Sequence, residues 1–193
     1  MKERIGLLGG TFDPPHQAHL IIAQEAMTVH NLDEVWFIPV STPPHKVRSQ
    51  LVSGVDRLEM TRLLIQDNAR FFISDIELNR RGLSYTVDTV RELRERYPGK
   101  EYFFIIGADM AEQLNTWENI EELKTLITFI VSGRPGYAAQ IKGSEGILHL
   151  DAPLLDISST DLRSRITNKQ NIRYLVPDAV RHYIEERGLY EQT

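Results

Sequence analysis

The chain of 193 residues contains no cysteine. This absence excludes disulfide bonds, a thiol nucleophile and a cysteine-ligated zinc site. No apolar stretch approaches the roughly 20 residues that a membrane-spanning helix needs. The apolar segment nearest the N-terminus, residues 5–8, is too short for a signal peptide. From these absences we expect a cytoplasmic protein with no membrane partner.

An excess of positive charge is also missing. The sequence has 22 Lys and Arg against 27 Asp and Glu, a formal net charge of −5 at pH 7, and no long basic run. A protein that binds nucleic acid by bulk electrostatics needs a basic surface, so we expect no nucleic-acid partner. A small nucleotide remains compatible, because such a ligand senses only the charges of its own site.

Short apolar runs alternate with helical patterns along nearly the whole chain. The runs that favour strands cover residues 5–8, 34–40, 71–76, 102–106, 127–131, 148–150 and 154–157. The helical patterns cover residues 17–30, 53–67, 84–97, 158–167 and 177–188. This alternation predicts an α/β fold, a parallel sheet with helices on both faces. The length suits a single domain over residues 1–193, with a small C-terminal helical part from about residue 158. Residues 137–146 have no clear period and are expected to form a surface loop.

The most informative segment is residues 9–19, which reads GGTFDPPHQAH and joins the first strand to the first helix. Gly9 and Gly10 lack a Cβ, so backbone N–H groups can approach a phosphate closely there. The following helix directs its unpaired N–H groups and the positive end of its dipole at the same place. His16 and His19 share one face of its first turn. The pattern predicts a phosphate site edged by two imidazoles; the alternative is a tight turn with surface or capping histidines.

Two more loops follow predicted strands, at residues 40–46 and 107–109. In a parallel sheet, ligands bind beyond the carboxyl ends of the strands. The segment 9–19 and these two loops should therefore share one edge of the sheet. Their agreement predicts a single site at that edge.

The ordered motifs resemble those of bacterial nicotinate mononucleotide adenylyltransferases. The resemblance rests on GGTFDPPHxxH at 9–19, PPHK at 43–46, GADM at 107–110, ISSTxLR at 157–163, YLVP at 174–177 and GLY at 188–190. It covers essentially the whole chain in the expected order. One departure is Ala18, where the family motif usually has glycine.

The resemblance implies a Rossmann-like nucleotidyltransferase fold. It implies transfer of the adenylyl group of ATP to nicotinate mononucleotide, giving nicotinate adenine dinucleotide and pyrophosphate in NAD biosynthesis. It also implies Mg²⁺, held by ATP and water, and a homodimer. No protein nucleophile is needed, because the phosphate of the mononucleotide is already an anion.

The resemblance also assigns the ATP side of the site. His16 and His19 would be catalytic, donating hydrogen bonds to the α- and β-phosphates. The other expected ATP-binding residues follow strands or begin a helix, and they are Gly9, Gly10, Thr11, Phe12, Gly107, Asp109, Ser158, Ser159, Thr160 and Arg163. Apart from the resemblance, the last four also suit a helix cap followed by a surface arginine. Asp13 can order its loop through an Asx-type bond, and its role is left open.

On the acceptor side the expected substrate-binding residues are Lys46, Tyr85, Thr86, Trp117 and Arg134. Tyr85 and Thr86 begin a helix and offer amides to the nicotinate carboxylate. Trp117 can stack on the pyridine ring, whereas Lys46 and Arg134 can hold anionic groups. The alternatives are a tryptophan of the core or of an interface, and solvated loop cations. A carboxylate site of this kind favours nicotinate over nicotinamide mononucleotide.

Two other functions stay open at this point. One is a nucleotidyltransferase of the same fold that acts on phosphopantetheine or on a sugar or polyol phosphate. The other is a nucleotide-binding regulator that has the phosphate site without the catalysis. Competing acceptors separate the first from the predicted enzyme, and ATP binding without pyrophosphate release would favour the second.

Overall fold

The computed structural model describes residues 2–41, 51–80, 83–133, 146–153 and 155–191. Within these ranges the strands are β1 (Arg4–Gly10), β2 (Glu34–Pro39), β3 (Phe71–Ile73), β4 (Glu101–Gly107), β5 (Thr128–Gly133) and β6 (Ile147–Asp151). They form one parallel sheet in the order β3-β2-β1-β4-β5-β6. The predicted parallel α/β fold is confirmed.

The helices connect and cover these strands. They are α1 (Gln17–Val29), α2 (Gly54–Ile65), α3 (Thr86–Arg96), α4 (Ala108–Ala111), α5 (Ile120–Leu126), α6 (Ser159–Thr167) and α7 (Asp178–Glu186), with a 3₁₀ turn at Leu114–Thr116. Side chains cap two of them, because the hydroxyl oxygens of Ser53 and Ser158 each accept a first-turn backbone N–H at 3.1 Å. Within the described ranges, every helix is too short or too polar to cross a membrane.

Two sequence predictions differ from the structure. The strand predicted at 154–157 is not found in the part of the chain that the structure describes. Residues 155–158 have no regular secondary structure, and residue 154 lies outside the described residues. Leu155 is exposed, and the segment runs directly into the cap of α6. Helix α5 was missed. It follows Asn119, whose φ of 50° interrupts the chain direction, and its first turn carries Glu121 and Glu122.

Strand β4 shows how both faces of the sheet are covered. Phe103 and Ile105 pack into a hydrophobic layer with α1, α2, α6 and α7. Tyr102, Phe104 and Ile106 pack into the opposite layer with α3, α4 and α5. Successive strand side chains point to opposite faces, so a continuous apolar run suits a strand that is buried on both.

The strand order creates a crevice beside β1. The chain first builds outward from β1 to β2 and β3, and then returns through α3 to place β4 on the other side of β1. Open α/β sheets bind ligands at such a reversal, beyond the carboxyl ends of the strands. The loops that follow β1 and β4 are therefore the first place to examine for a site.

Candidate active site

A cleft of about 660 Å³ opens at the carboxyl ends of β1 and β4. One wall consists of the loop after β1 and the first residues of α6. The opposite wall consists of the start of α3 and the segment from Asp109 to Glu118. The loops that the sequence placed at a common edge thus meet here, as far as they are described.

The glycine pair allows close packing of aromatic rings as well as open access to the backbone. A Cβ at Gly9 would lie 3.2 Å from Cζ of Phe104, and one at Gly10 would lie 3.0 Å from the ring of Phe12. Phe12 is buried and has a φ of 51°, so the chain turns sharply after Thr11. The side chain of Phe12 belongs to the core, and only its backbone can serve a ligand.

His16 and His19 are stacked at the start of α1. Their ring centroids lie 3.8 Å apart, and the backbone N–H of His16 donates to Nδ1 of His19 at 3.1 Å. Because Nδ1 of His19 accepts this bond, the proton of the neutral ring is on Nε2. The ring of Phe12 fixes His19 from the side, with centroids 5.0 Å apart. His16 occupies the N-cap position of α1. The alternative of a capping histidine is therefore correct for the position of His16.

Burial keeps both imidazoles neutral. It lowers the pKa of His16 to about 4. Burial also lowers the pKa of His19, as does the neighbouring His16, while the backbone hydrogen bond between them opposes this shift. The Nδ1 atom of His16 is buried without a hydrogen-bond partner among the described residues. At neutral pH the pair therefore offers N–H dipoles to the cleft rather than positive charge.

The first turn of α6 connects directly to the loop after β1. The hydroxyl of Ser159 donates to the carbonyl oxygen of Pro14 at 2.9 Å. Arg163 donates from Nη1 to the carbonyl oxygen of Asp13 at 2.6 Å and from Nη2 to Oγ1 of Thr160 at 3.1 Å. Ser158, Ser159, Thr160 and Arg163 all line the cleft. The guanidinium is thereby held at the edge of the predicted phosphate site.

The opposite wall combines a helix start with aromatic rings. Tyr85 precedes α3, Thr86 begins it, and both line the cleft. Trp117 meets Phe104 and Phe129 nearly edge-on, with centroids 5.9 and 6.1 Å apart. Trp117 thus packs against the core and also lines the cleft. Both the core position and the cleft position expected from the sequence apply to it.

Two buried charged residues at the cleft were missed in the sequence. Glu77 lines the cleft, burial raises its pKa, and its Oε1 accepts from Oγ1 of Thr89 at 2.7 Å. Arg57 is 3% exposed and donates to the carbonyl oxygens of Thr11 and Val40 at 2.9 and 2.7 Å. Arg57 could have been found, because it shares a helix face with residues 60 and 61, one turn on, and residue 64, two turns on.

The remaining predicted residues fall into three groups. Asp109 lines the cleft, whereas Gly107 ends β4 beside it, where a Cβ would lie 2.7 Å from Oδ1 of Asp109. Lys46 and Arg134 lie outside the described residues, as do all but the last residue of the predicted loop 137–146. Ala18 is only 8% exposed and is not among the described residues that line the cleft.

Comparison with known proteins agrees with this geometry. A family model described as cytidylyltransferase-like matches residues 7–165. A probable nicotinate-nucleotide adenylyltransferase of Shouchella clausii is 52% identical over 188 residues, 97% of each chain. The nicotinate-nucleotide adenylyltransferase of Bacillus subtilis is 46% identical over 189 residues, 98% of this chain and 99% of that protein. The chain belongs to the nicotinate-nucleotide adenylyltransferase family.

The solved structures extend this likeness to distant members of the fold. A Plasmodium falciparum nicotinic acid mononucleotide adenylyltransferase, complexed with NaAD, has a TM-score of 0.79 over 97% of each chain at 22% identity. At this identity the comparison shows the fold alone. The nicotinate-nucleotide adenylyltransferase family assignment therefore rests on the sequence relatives, and the Rossmann-like fold rests on the structure.

Proposed function

We propose that this chain transfers the adenylyl group of ATP to nicotinate mononucleotide, releasing nicotinate adenine dinucleotide and pyrophosphate. The supporting observation is the composition of the cleft. One wall carries hydrogen-bond donors suited to phosphate oxygens, and the other carries the start of α3 and the ring of Trp117. A phosphate oxygen of the mononucleotide forms a bond to the α-phosphorus. The bond from that phosphorus to the bridging oxygen of the β-phosphate breaks, and pyrophosphate leaves with its electron pair.

On the phosphate wall, the backbone of Gly9, Gly10, Thr11 and Phe12 would receive the triphosphate. Ser158, Ser159 and Thr160 add the start of α6, where unpaired N–H groups favour an anion. Arg163 would add a charge-assisted hydrogen bond. From the opposite wall, Asp109, near the end of β4, would accept from the ribose hydroxyls of ATP beside Gly107. The loop residue Lys46 stays a predicted phosphate contact.

His16 and His19 would stabilise charge without transferring a proton. The fixed tautomer of His19 directs Nε2–H away from the backbone bond at Nδ1. As negative charge shifts onto the leaving pyrophosphate, a hydrogen bond from this N–H becomes stronger, which lowers the barrier. The neutral ring of His19, which is partly buried and held by its hydrogen bond, needs no reorganisation during the reaction. Catalysis here would be positioning and electrostatics, as in other phosphoryl transfers.

On the acceptor wall, the amides at Thr86 and the residue after it would bind the nicotinate carboxylate. The first N–H groups of a helix have no partner within it, and α3 is 11 residues long. Trp117 would stack on the pyridine ring, with Tyr85 beside it, and the predicted contact from Arg134 would hold an anionic end. A nicotinamide at this place would leave donors without a charged partner.

The residues of the cleft fit Mg²⁺ only as a companion of ATP. Among the described residues, no group of three or more His, Asp or Glu is placed to hold a metal ion. The phosphate wall offers N–H donors, which suit phosphate oxygens. When bound with ATP, the ion would offset the negative charge of the phosphates. His19, Arg163 and the loop backbone would bind phosphate oxygens.

Product analysis tests this proposal. The protein is incubated with ATP, Mg²⁺ and an equal mixture of nicotinate mononucleotide, phosphopantetheine and a polyol phosphate, and the adenylylated product is identified by mass spectrometry. We expect nicotinate adenine dinucleotide. Adenylylation of another acceptor would replace the substrate, and ATP binding without any product would indicate a regulator. The homodimer and the cytoplasmic location stay predictions, the first measurable by analytical ultracentrifugation.

A further inference from the structure

The carboxylate of Asp13 is buried in the wall of the cleft but is not available to a ligand. It is 1% exposed and follows Phe12, whose positive φ marks the turn of the loop. Left-handed backbone is costly for a residue with a side chain and persists where the surroundings enforce it. Asp13 is next to this turn, so its contacts help to hold the shape of the phosphate-binding loop, residues 9–16.

The partner of this carboxylate comes from the far end of the chain. The hydroxyl of Tyr190 donates to Oδ1 of Asp13 at 2.7 Å. This long-range bond is found where the sequence suggested at most a local Asx-type bond. Burial raises the pKa of Tyr190, as does the charge of Asp13. The phenol therefore stays protonated at every pH of interest and acts as a hydrogen-bond donor.

Tyr190 is itself held in place. Its carbonyl oxygen accepts from Oγ1 of Thr167 on α6 at 3.0 Å, and the N–H of Leu189 donates to the carbonyl oxygen of Ile184 on α7 at 3.0 Å. Its φ of 66° turns the chain toward the loop. The ring also packs against the hydrophobic layer that contains α1 and α2. The segment after α7 thus presents one hydroxyl at a defined position.

The orientation of Asp13 bears directly on Arg163. Nη1 of Arg163 donates to the carbonyl oxygen of Asp13 and lies 3.9 Å from its Oδ2. Oδ2 has no hydrogen-bond partner among the described residues. With Oδ1 engaged by Tyr190, the carboxylate is kept from turning fully onto the guanidinium. Arg163 can then interact with a phosphate as well as with the loop.

We propose that Tyr190 is a positioning residue for ATP, acting through Asp13 on the loop 9–16 and on Arg163. The proposal rests on the proposed function in assigning that loop to the triphosphate. It adds a residue near the C-terminus, outside the cleft lining, to the determinants of ATP affinity. It also gives the segment after α7 a role in binding rather than in stability alone.

The variant Tyr190→Phe removes the hydroxyl and retains the ring. Oδ1 of Asp13 then loses its hydrogen bond, and the carboxylate is free to turn toward Arg163. Hydrogen bonds to charged groups are among the stronger ones. We expect the Kd for ATP with Mg²⁺, measured by calorimetry, and the KM for ATP each to rise about tenfold. The KM for nicotinate mononucleotide should change less than about twofold.

Tyr183→Phe is the matched control. The hydroxyl of Tyr183, on α7, donates to Oδ1 of Asp56 at 2.9 Å, so this variant also removes a phenol–carboxylate bond near the C-terminus. Asp56 is on α2 and does not line the cleft as described. We expect Tyr183→Phe to lower the Tm without changing the Kd for ATP. In an Asp13→Ala background, Tyr190→Phe should add no further loss of ATP affinity.

Two results would overturn the proposal: an unchanged Kd for ATP in Tyr190→Phe, or an equal rise of both KM values. If Asp13→Ala fails to fold, the two tyrosine variants still decide. The calorimetric measurement needs ATP and no acceptor. If the wild-type protein binds ATP but forms no dinucleotide, the proposed acceptor is wrong, and the comparison of Tyr190→Phe with Tyr183→Phe still tests the positioning role.

Discussion

The two walls of the cleft are built in different ways. The phosphate wall is cross-linked by side chains from distant parts of the chain: Arg57 on α2, Arg163 on α6 and Tyr190 after α7 all reach the loop after β1. The acceptor wall is formed by the start of α3 and by Trp117, which rests on core aromatic rings. The more extensive polar support is thus found at the wall where the proposed reaction would move charge, which is what electrostatic preorganisation requires.

The charges of the walls also differ. The phosphate wall presents neutral imidazoles and a guanidinium, whereas Glu77, Asp109 and Glu118 line the cleft toward the other wall. A nicotinate carboxylate bound there, as we propose, would depend on the amides at the start of α3 to outweigh these carboxylates. Binding of ATP and selection of the acceptor should therefore respond separately to mutation.

The largest expected effect comes from His19 on the phosphate wall. His19→Ala removes an N–H donor to the developing pyrophosphate and should lower kcat by about 100- to 1000-fold, with circular dichroism and Tm close to wild type. The control is His182→Ala, an exposed histidine on α7. Near-normal turnover in a well-folded His19→Ala would remove His19 from the mechanism.

Arg163 tests whether the same wall acts on ATP. Arg163→Ala loses a charge-assisted hydrogen bond to phosphate and should lower kcat/KM for ATP by about 100-fold. Arg165→Ala is a matched control on the same helix, because Arg165 pairs with Asp161 at 2.8 Å. Similar kinetics for the two variants would contradict the assignment of Arg163.

Trp117 tests the opposite wall. Trp117→Leu keeps an apolar side chain but loses the ring, and stacking of aromatic rings contributes about 0.5–1.5 kcal/mol beyond buried area. We expect the KM for nicotinate mononucleotide to rise about tenfold, while the Kd for ATP from calorimetry stays within about twofold. A larger change for ATP than for the mononucleotide would show that the two walls are not independent.

The smallest effect concerns stability and pH. The pKa of His16 is about 4 in the folded protein, against an ordinary value of 6.5. As the pH falls below about 6.5, this histidine therefore takes up a proton in the unfolded chain before it does so in the folded protein. The free energy of unfolding should therefore decrease as the pH is lowered from 8 to 5.5, by roughly 1 kcal/mol from this residue. Urea titrations should show a correspondingly weaker pH dependence in His16→Gln than in the wild type or His182→Gln. Equal pH dependence in all three would contradict a buried, neutral His16.

The sequence predicted the sheet well because most of its strands are continuous apolar runs and because two of its helices begin at a capping serine, Ser53 and Ser158. The rule for parallel sheets brought together the loops that follow β1 and β4. The start of α6 was assigned to the same site by its helix-start pattern and the family resemblance. It missed α5, a short helix without a strong apolar stripe, and placed a strand at 154–157 from apolar residues that lead into a helix cap.

Local sequence patterns could not predict the long-range hydrogen bonds that hold the loop after β1. The bond from Tyr190 to Asp13 joins residues 177 positions apart, and no spacing rule connects them. The tautomer of His19 likewise depends on a backbone N–H whose direction follows from the cap geometry. The burial of Arg57 could have been predicted, because a charged residue on the apolar face of a helix indicates a buried partner.

The most direct test of the two-wall account is pyrophosphate release from ATP and Mg²⁺ with nicotinate and nicotinamide mononucleotides offered separately. We expect a kcat/KM that strongly favours the nicotinate form, because the amides at the start of α3 are matched to a carboxylate. Equal use of both would retain the reaction and contradict the carboxylate site, and a preference for nicotinamide would show that the acidic side chains of that wall prevail.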